Sequence, residues 1–490
     1  MKKGRDTDEE HLKTDVAVIG AGGAGMAAAI AARDSGADVI LLEKRRMPGG
    51  NTALAQALFA AESPAQKRLS IDAPKDVLFK MAMDYAHWKI NPRIVRAFID
   101  KSGDTVRWLE EMGLEKIDNI PPFYPRQSIR TFHYPNGGGV AVVKVLLSAC
   151  EKRGVRLLRG TPAKKILINS RGEITGVQAV NGDGKQLAIT AASVIIATGG
   201  FGGNKRLLKK YFPEYAAIRS LGIPLAGDGF LMAREAGAAM EGGALQLEGP
   251  IIEGGRQGRS VYEEPDLVWV NNRGERFADE SLAFNHFESV NAMLRQPHMV
   301  SYSLFDKSLT QTLVKRIEDG YVRYRGLGPR PENAGPPDFL EDLKTEVRRG
   351  TVKITDSWDD MARWIGAAPD VLKTTIVEYN SYCDCGHDAI FAKEARYLVP
   401  LRTPPFYAIR CQPIFLTAIG GIKIDDRMQV INISDAPIPG LYASGNDTGG
   451  WEPDTYNAVL SGHAFAFALS SGRIAGENAA QYASSKSVNL

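Results

Sequence analysis

Residues 15–52 read DVAVIGAGGAGMAAAIAARDSGADVILLEKRRMPGGNT, and the order of their parts decides the fold. An apolar run, Val16 to Ile19, leads into Gly20, Gly22 and Gly25 in a G-x-G-x-x-G frame. An alanine-rich segment from Met26 to Ala32 follows, then a second apolar run, Ala37 to Leu42, that ends on Glu43. Strand, tight turn, helix, strand and acid in this order predict a dinucleotide-binding βαβ unit. Gly20 permits the sharp turn. Gly22 has no side chain, so a pyrophosphate can reach the backbone. Gly25 lets the helix pack closely on the sheet. The helix N-terminus offers free N–H groups and a positive dipole end to phosphates. Glu43, 23 residues after Gly20, stands where an acid accepts hydrogen bonds from a ribose 2′-OH.

After Glu43 and Lys44 comes a second glycine turn, Gly49-Gly50-Asn51-Thr52. A glycine pair with a small hydroxyl residue at this place resembles the FAD-binding flavoproteins, where it wraps the pyrophosphate and approaches the flavin. The apolar run Val194 to Ala197 enters Thr198-Gly199-Gly200, as the A-T-G-G strand ends of flavoproteins do on returning to FAD. Ala163 falls where a backbone amide and carbonyl commonly read the adenine.

A chain of 490 residues exceeds what one core usually serves, so two domains are expected. The 44% apolar content suits a globular enzyme, and no run of 18 apolar residues predicts a membrane helix. The N-terminus, MKKGRDTDEEHLKTD, is charged, lacks the apolar core of a signal peptide and reads as a solvated leader. A net charge of +3 argues neither for nucleic acid nor for a membrane surface. Four cysteines (Cys150, Cys383, Cys385, Cys411) are too few for a disulfide framework and point to the cytoplasm. Cys383 and Cys385, with His387 beside them, lack further ligands for a metal site, so no metal is expected.

Along the chain, 77–89 has helical spacing, and 94–114 reads as two helices broken at Gly103. A Pro/Gly-rich stretch then carries Tyr124, Arg126, Arg130, His133 and Tyr134, and 140–155 is an amphipathic helix. Residues 155–200 read as a β-meander. Gly227-Asp228-Gly229 opens a helix through Ala239, and 267–281 is strand, turn, strand. The stretch 325–337 reads as a loop, and helical patterns fill 338–385. Strand patterns resume after Pro405, GLYASGNDTGG (440–450) feeds a glycine turn, and 461–483 is the closing helix. The expected division is a nucleotide domain of 1–242 and 396–490 with an inserted second domain, 243–395.

These pieces resemble the flavoprotein family of fumarate reductase, succinate dehydrogenase and 3-ketosteroid dehydrogenase. The resemblance rests on the opening fingerprint, the GDG helix, N-R-G-E-R-F-x-x-E (272–280), T-x-x-G-G (417–421) and GLYASGN (440–446). It implies an α/β fold, a Rossmann-like FAD-binding domain with an inserted α+β cap. It also implies non-covalent FAD, since the attaching histidine would fall just after Gly50, where Asn51 to Leu54 stand. Asp228, Gly445 and Asn446 would meet the cofactor, and Ser461, Gly462, His463 and Ala464 would turn the last helix's N–H groups toward the flavin. No haem or FMN-attachment domain is seen, so the electrons come from or go to an external partner; the oligomeric state is not read from the sequence.

The fumarate branch holds two carboxylates with His and Arg. Here the corresponding places carry Glu248, Phe284, Thr310, Thr417 and Val459. A dianion without paired cations faces a large desolvation cost, so the substrate is expected to be a neutral or weakly charged small molecule with a carbonyl-activated C–C bond, steroid-like or a cyclic enone. Tyr456, in a T-Y resembling that of ketosteroid dehydrogenases, is either the proton donor beside the flavin or a loop-capping residue. His133 and Glu280 are further catalytic candidates; Phe284, Tyr302, Thr417 and Trp451, with Tyr407, are candidates for the substrate pocket or for core. Two alternatives stand: a dicarboxylate reductase with relocated cations (Arg126, Arg130 or Arg295), and a non-redox flavoprotein.

Overall fold

The computed structural model describes residues 10–124, 127–253, 264–319 and 339–487. The chain divides into two compact units, one running to Gln246 and resuming at Leu416, the other Leu247–Phe415.

The first unit is built on a sheet of eight described strands. Its main path runs Gln429–Ile431, Pro437–Ala443, Gln186–Ile196, Glu10–Ile19, Val39–Glu43 and Arg156–Arg159. Every neighbouring pair is parallel except the first. The hairpin Ala163–Ile168 and Ile174–Val180 continues antiparallel from Gln186–Ile196. Val16, Ala17 and Val18 lie in the middle of this sheet with no exposed surface, which is why that strand is an unbroken apolar run rather than an alternating one. The first helix, Gly23–Asp34, is buried from Gly23 to Ala32 and packs against the last helix, His463–Ser487. A Cβ on Gly472 or Gly476 would come within 2.3 or 2.2 Å of the carbonyls of Ala24 and Ala28, so small residues set the approach of these two helices.

In the second unit Val268–Val270, Ser301–Asp306 and Val352–Thr355 form antiparallel ladders, the last two with residues 406–411 of the strand Phe406–Ile422. Trp358–Ile365 and Pro369–Cys385 are helices that supply Met361, Leu372 and Tyr379 to a core shared with Leu304 and Ala408.

The structure corrects several expectations. Residues 94–114 are not two helices: Pro92–Glu111 is one, capped by the Asn91 side chain. Its buried stripe passes uninterrupted through Ile99, Ser102, Val106 and Leu109. Gly103 is there because a Cβ would lie 2.2 Å from the Ala61 carbonyl, and that contact offsets the roughly 1 kcal/mol a helical glycine costs. Glu10 to Asp15 are strand rather than solvated leader, since the longer neighbour Gln186–Ile196 offers them partners from Leu187 onward. The second strand expected in 267–281 reduces to one bridge, Val270 to Arg276, because the Arg276 side chain is drawn into a buried ion cluster. Within the helical stretch 338–385, Val352–Thr355 is a strand. The helix opened by Asp228 ends at Glu235. The loop expected at 325–337 lies outside the described residues.

Candidate active site

The carboxyl ends of the parallel strands in the first unit open onto a cleft of about 940 Å³, part of which is open solvent. Gly20 makes the turn there: its φ is +104°, and a Cβ would sit 2.4 Å from the Ala197 carbonyl. A Cβ on Gly25 would collide with the Gly20 carbonyl, whereas one on Gly22 would meet nothing within 4 Å. The backbone at Gly22 therefore faces the cleft bare. The second glycine turn lies directly on the first, with Gly49 donating its N–H to the Ala21 carbonyl at 2.8 Å. Thr52 Oγ1 accepts from the Gly23 amide (3.1 Å), and Asn51 Oδ1 accepts from the Ile223 amide (2.8 Å).

Glu43 is buried at the cleft wall, its two oxygens receiving the amides of Ala21 (2.9 Å) and Arg45 (2.8 Å). Lys44 and Asp228 form an ion pair at 2.6 Å, and both line the cleft, as does Ala163. Thr198 and Gly199 line it too, and their turn is held by a residue that no sequence motif singles out. Asp447, fully buried, accepts from Thr198 Oγ1 (2.9 Å) and from the amides of Gly199 (2.8 Å) and Gly200 (3.0 Å). Burial pushes its carboxyl above the usual range against the pull of these hydrogen bonds. The available signal is an acid directly after Gly445-Asn446, inside a segment whose glycines draw the eye.

Whether these residues suit FAD can be tested on two atoms. Ser444 Oγ and Asn446 Oδ1 are buried, line the cleft and have no hydrogen-bond partner among the described residues. Buried polar atoms are nearly always paired, so both fit a polar ligand held along this wall. The bare Gly22 backbone and the start of the first helix fit its phosphates. The Asn446 amide is oriented by Thr417, whose Oγ1 accepts from Nδ2 at 3.2 Å.

Farther along the same unit, the segment before the last helix gathers aromatic and acidic groups. Trp451 stacks on Phe467 with centroids 3.9 Å apart and donates its indole N–H to the Thr448 carbonyl. Tyr456 is buried, its ring centroid 4.3 Å from that of His463. Its carbonyl accepts from the Tyr85 hydroxyl (3.1 Å) and the Ala458 amide (2.9 Å). His463, the first residue of the last helix, has Nε2 2.6 Å from Glu452 Oε2. Glu452 was not among the sequence candidates, for lack of any motif around it. Ser461 donates to the Ala458 carbonyl, Gly462 accepts from the Phe59 amide, and Ala464 sits half-buried in the helix's first turn.

Other candidates stand elsewhere. His133 is enclosed, with Nε2 at Ser63 Oγ (2.7 Å) and Nδ1 at the Thr131 carbonyl (2.8 Å); burial pushes it down to about 4. Both ring nitrogens are taken up by the protein. Glu280, in the second unit, is also enclosed, bonded to Arg276 (2.9 Å), Lys393 (3.1 Å) and the Trp269 amide (3.0 Å). Burial raises its carboxyl, and Lys393 and Arg276 outweigh that and hold it low. Its cationic partners are thus Arg276, four residues before it, and Lys393. Tyr302 and Tyr407 are core residues: the Tyr302 hydroxyl donates to the Ile365 carbonyl, and Tyr407 stacks on Phe305. Phe284 is half-buried against Tyr397. Arg130 and Arg295 are exposed, and Arg126 lies outside the described residues. Among the described residues no cluster of three or more His, Cys, Asp or Glu is placed to hold a metal, and no helix is long and apolar enough to cross a membrane.

Comparison with known proteins agrees with this geometry. Vinyl phenol reductase of Lactiplantibacillus plantarum is 31% identical over 497 residues, spanning 98% of this chain and 99% of the relative. The structure of a flavocytochrome c3 fumarate reductase in its open conformation superposes with a TM-score of 0.73 at 26% identity, covering 96% of this chain and 79% of that one. A 3-ketosteroid-Δ4-(5α)-dehydrogenase from Rhodococcus jostii RHA1 shares the fold, with a TM-score of 0.73 at 22% identity over 97% and 99% of the two chains. The family described as FAD binding domain matches residues 15–457. The chain belongs to that family and is an FAD-dependent oxidoreductase acting on carbon–carbon double bonds.

Proposed function

We propose that this enzyme reduces a double bond conjugated to an aromatic ring or a carbonyl in an uncharged small molecule, with electrons from an external donor. The observation that carries the reading is the set of side chains at the five places where the fumarate branch holds its dianion. They are Glu248, Phe284, Thr310, Thr417 and Val459, four neutral and one acidic. Thr310 and Thr417 are moreover committed within the protein, to the Asp306 carbonyl and to Asn446. A dicarboxylate bound at these five side chains would lose its hydration with no cation in return. The vinyl phenol reductase relative, matched over nearly its whole length, carries a neutral aromatic substrate in its name.

FAD, when bound, supplies the hydride. Gly20, Gly22 and Gly25 with the first helix would hold its pyrophosphate and Glu43 its ribose. Lys44, Asn51, Thr52, Ala163, Thr198, Asp228, Ser444 and Asn446 would line the remainder. Unit 247–415 is assigned the part of a substrate cap. Tyr456 is assigned the proton: a phenol stays protonated at neutral pH and can give its hydrogen to the substrate carbon that does not receive the hydride. Burial of the ring keeps water away from that transfer.

The test is reoxidation of pre-reduced enzyme by 4-vinylphenol, by a cyclic enone and by fumarate. A neutral alkene is expected to turn over and fumarate is not, and Tyr456→Phe is expected to lose about 10²–10⁴-fold in the reoxidation rate. Turnover of fumarate alone would favour a dicarboxylate reductase with cations placed elsewhere.

A further inference from the structure

We propose that Glu452 is a positioning residue for proton transfer by Tyr456, acting through His463. This rests on the assignment of Tyr456 as the proton donor. The imidazole of His463 has two acceptors on its two nitrogens. Nδ1 faces the Leu460 carbonyl at 3.0 Å, which can only accept, so Nδ1 carries a hydrogen. Nε2 faces Glu452 Oε2 at 2.6 Å, a charge-assisted distance, and both side chains are about 1% exposed. Glu452 is itself fixed, its other oxygen accepting the Asn457 amide at 3.0 Å. One more hydrogen therefore lies between Nε2 and Oε2. That ring packs at 4.3 Å on Tyr456, with the planes inclined by 39°.

The chemistry follows from the charge. When Tyr456 acts, its O–H bond breaks, a C–H bond forms on the substrate, and the electron pair stays on oxygen as a phenolate. The phenolate then regains a proton from solvent before the next turnover. A proton-bearing imidazole against the phenol favours that phenolate over the phenol. Among the described residues, these titratable and charged groups stand around it. The turn itself brings Glu452 and Asp454, the latter exposed and 3.5 Å from Lys89. The last helix brings His463, and the helix Lys75–Tyr85 brings Tyr85, which bonds the Tyr456 carbonyl. Glu452 and His463 are the buried pair among them.

The experiment measures kcat and KM against pH for the FAD-loaded enzyme with a neutral alkene, together with flavin content. Glu452→Gln is expected to lower kcat about tenfold or more, with KM little changed, and to move the alkaline limb of the kcat profile to higher pH, because the phenol now keeps its proton longer. His463→Gln keeps a donor toward Glu452 but no ring. It is expected to give the same loss and displacement, and it decides the question if Glu452→Gln does not fold. A ¹³Cζ-tyrosine NMR titration, with Tyr456→Phe identifying the signal, is expected to show the same displacement without turnover. An unchanged kcat profile and an unchanged Tyr456 signal in a flavin-replete variant would overturn the proposal, while an inactive Tyr456→Phe would leave the tyrosine as donor. Full activity of Tyr456→Phe would instead remove the donor assignment itself.

Discussion

His133 and His463 belong to the same compact unit, are almost equally buried, and each has both ring nitrogens hydrogen-bonded. They differ in one partner. The Nε2 of His133 meets a serine hydroxyl, which already accepts the Gln66 amide and can donate its own hydrogen, so the ring is content as a neutral imidazole. The Nε2 of His463 meets a carboxylate, which has no hydrogen to give unless it takes one first. Burial alone thus leaves a histidine's role open, and the acceptor or donor character of its neighbour decides it. One histidine cements a corner with a hydroxyl, and the other faces a buried carboxylate.

The sharpest way to break this contrast is to remove the carboxylate outright. Glu452→Leu leaves Nε2 facing an apolar group, and stability is expected to fall by about 3–5 kcal/mol in denaturant titration; a change under about 1 kcal/mol would mean the pair is not what holds the ring. The next effect comes from acid. His133 is 6.5 in its ordinary state and about 4 when folded, so the unfolded chain binds the extra proton first. The stabilisation is fully present above about pH 6.5 and drains away as pH falls toward 4, amounting to roughly 3 kcal/mol. His133→Gln is expected to flatten that slope, which urea midpoints between pH 4 and 7 would reveal. The smallest effect is at the neighbour. Ser63→Ala removes both the hydroxyl partner of His133 and a helix capping box, and about 1–2 kcal/mol is expected in thermal or urea unfolding.

Much of the first unit was legible because its signals are local. Gly20, Gly22, Gly25 and Glu43 lie within one βαβ unit, and each needs its residue type for a reason of backbone geometry or hydrogen bonding that shows in a short window. Gly49 to Thr52 and Thr198 to Gly200 were legible for the same reason. What stayed hidden was long-range. Asp447 makes its bonds 247 to 249 positions away, and nothing around it in sequence marks the partner. Glu452 is recognisable only once His463 is seen against it. Gly103 misled because a glycine that breaks a helix and one that admits a neighbouring carbonyl look alike in sequence; only the Ala61 backbone tells them apart. In the second unit, Glu280 stood out only as a catalytic candidate, and its ion partner Lys393, 113 positions on, is visible only in the fold.

The Asp447 bonds carry a consequence for biosynthesis. A ribosome delivers the chain from the N-terminus, and domains tend to fold as they emerge. The nucleotide fingerprint is out early, yet the Thr198–Gly200 turn has no carboxylate to close on until residue 447 has left the exit tunnel, and the last helix that covers Ala24 and Ala28 comes later still. The clasp is therefore completed late in synthesis, and a nascent chain stalled before Asp447 emerges would lack the contacts that hold the Thr198–Gly200 turn at the cleft.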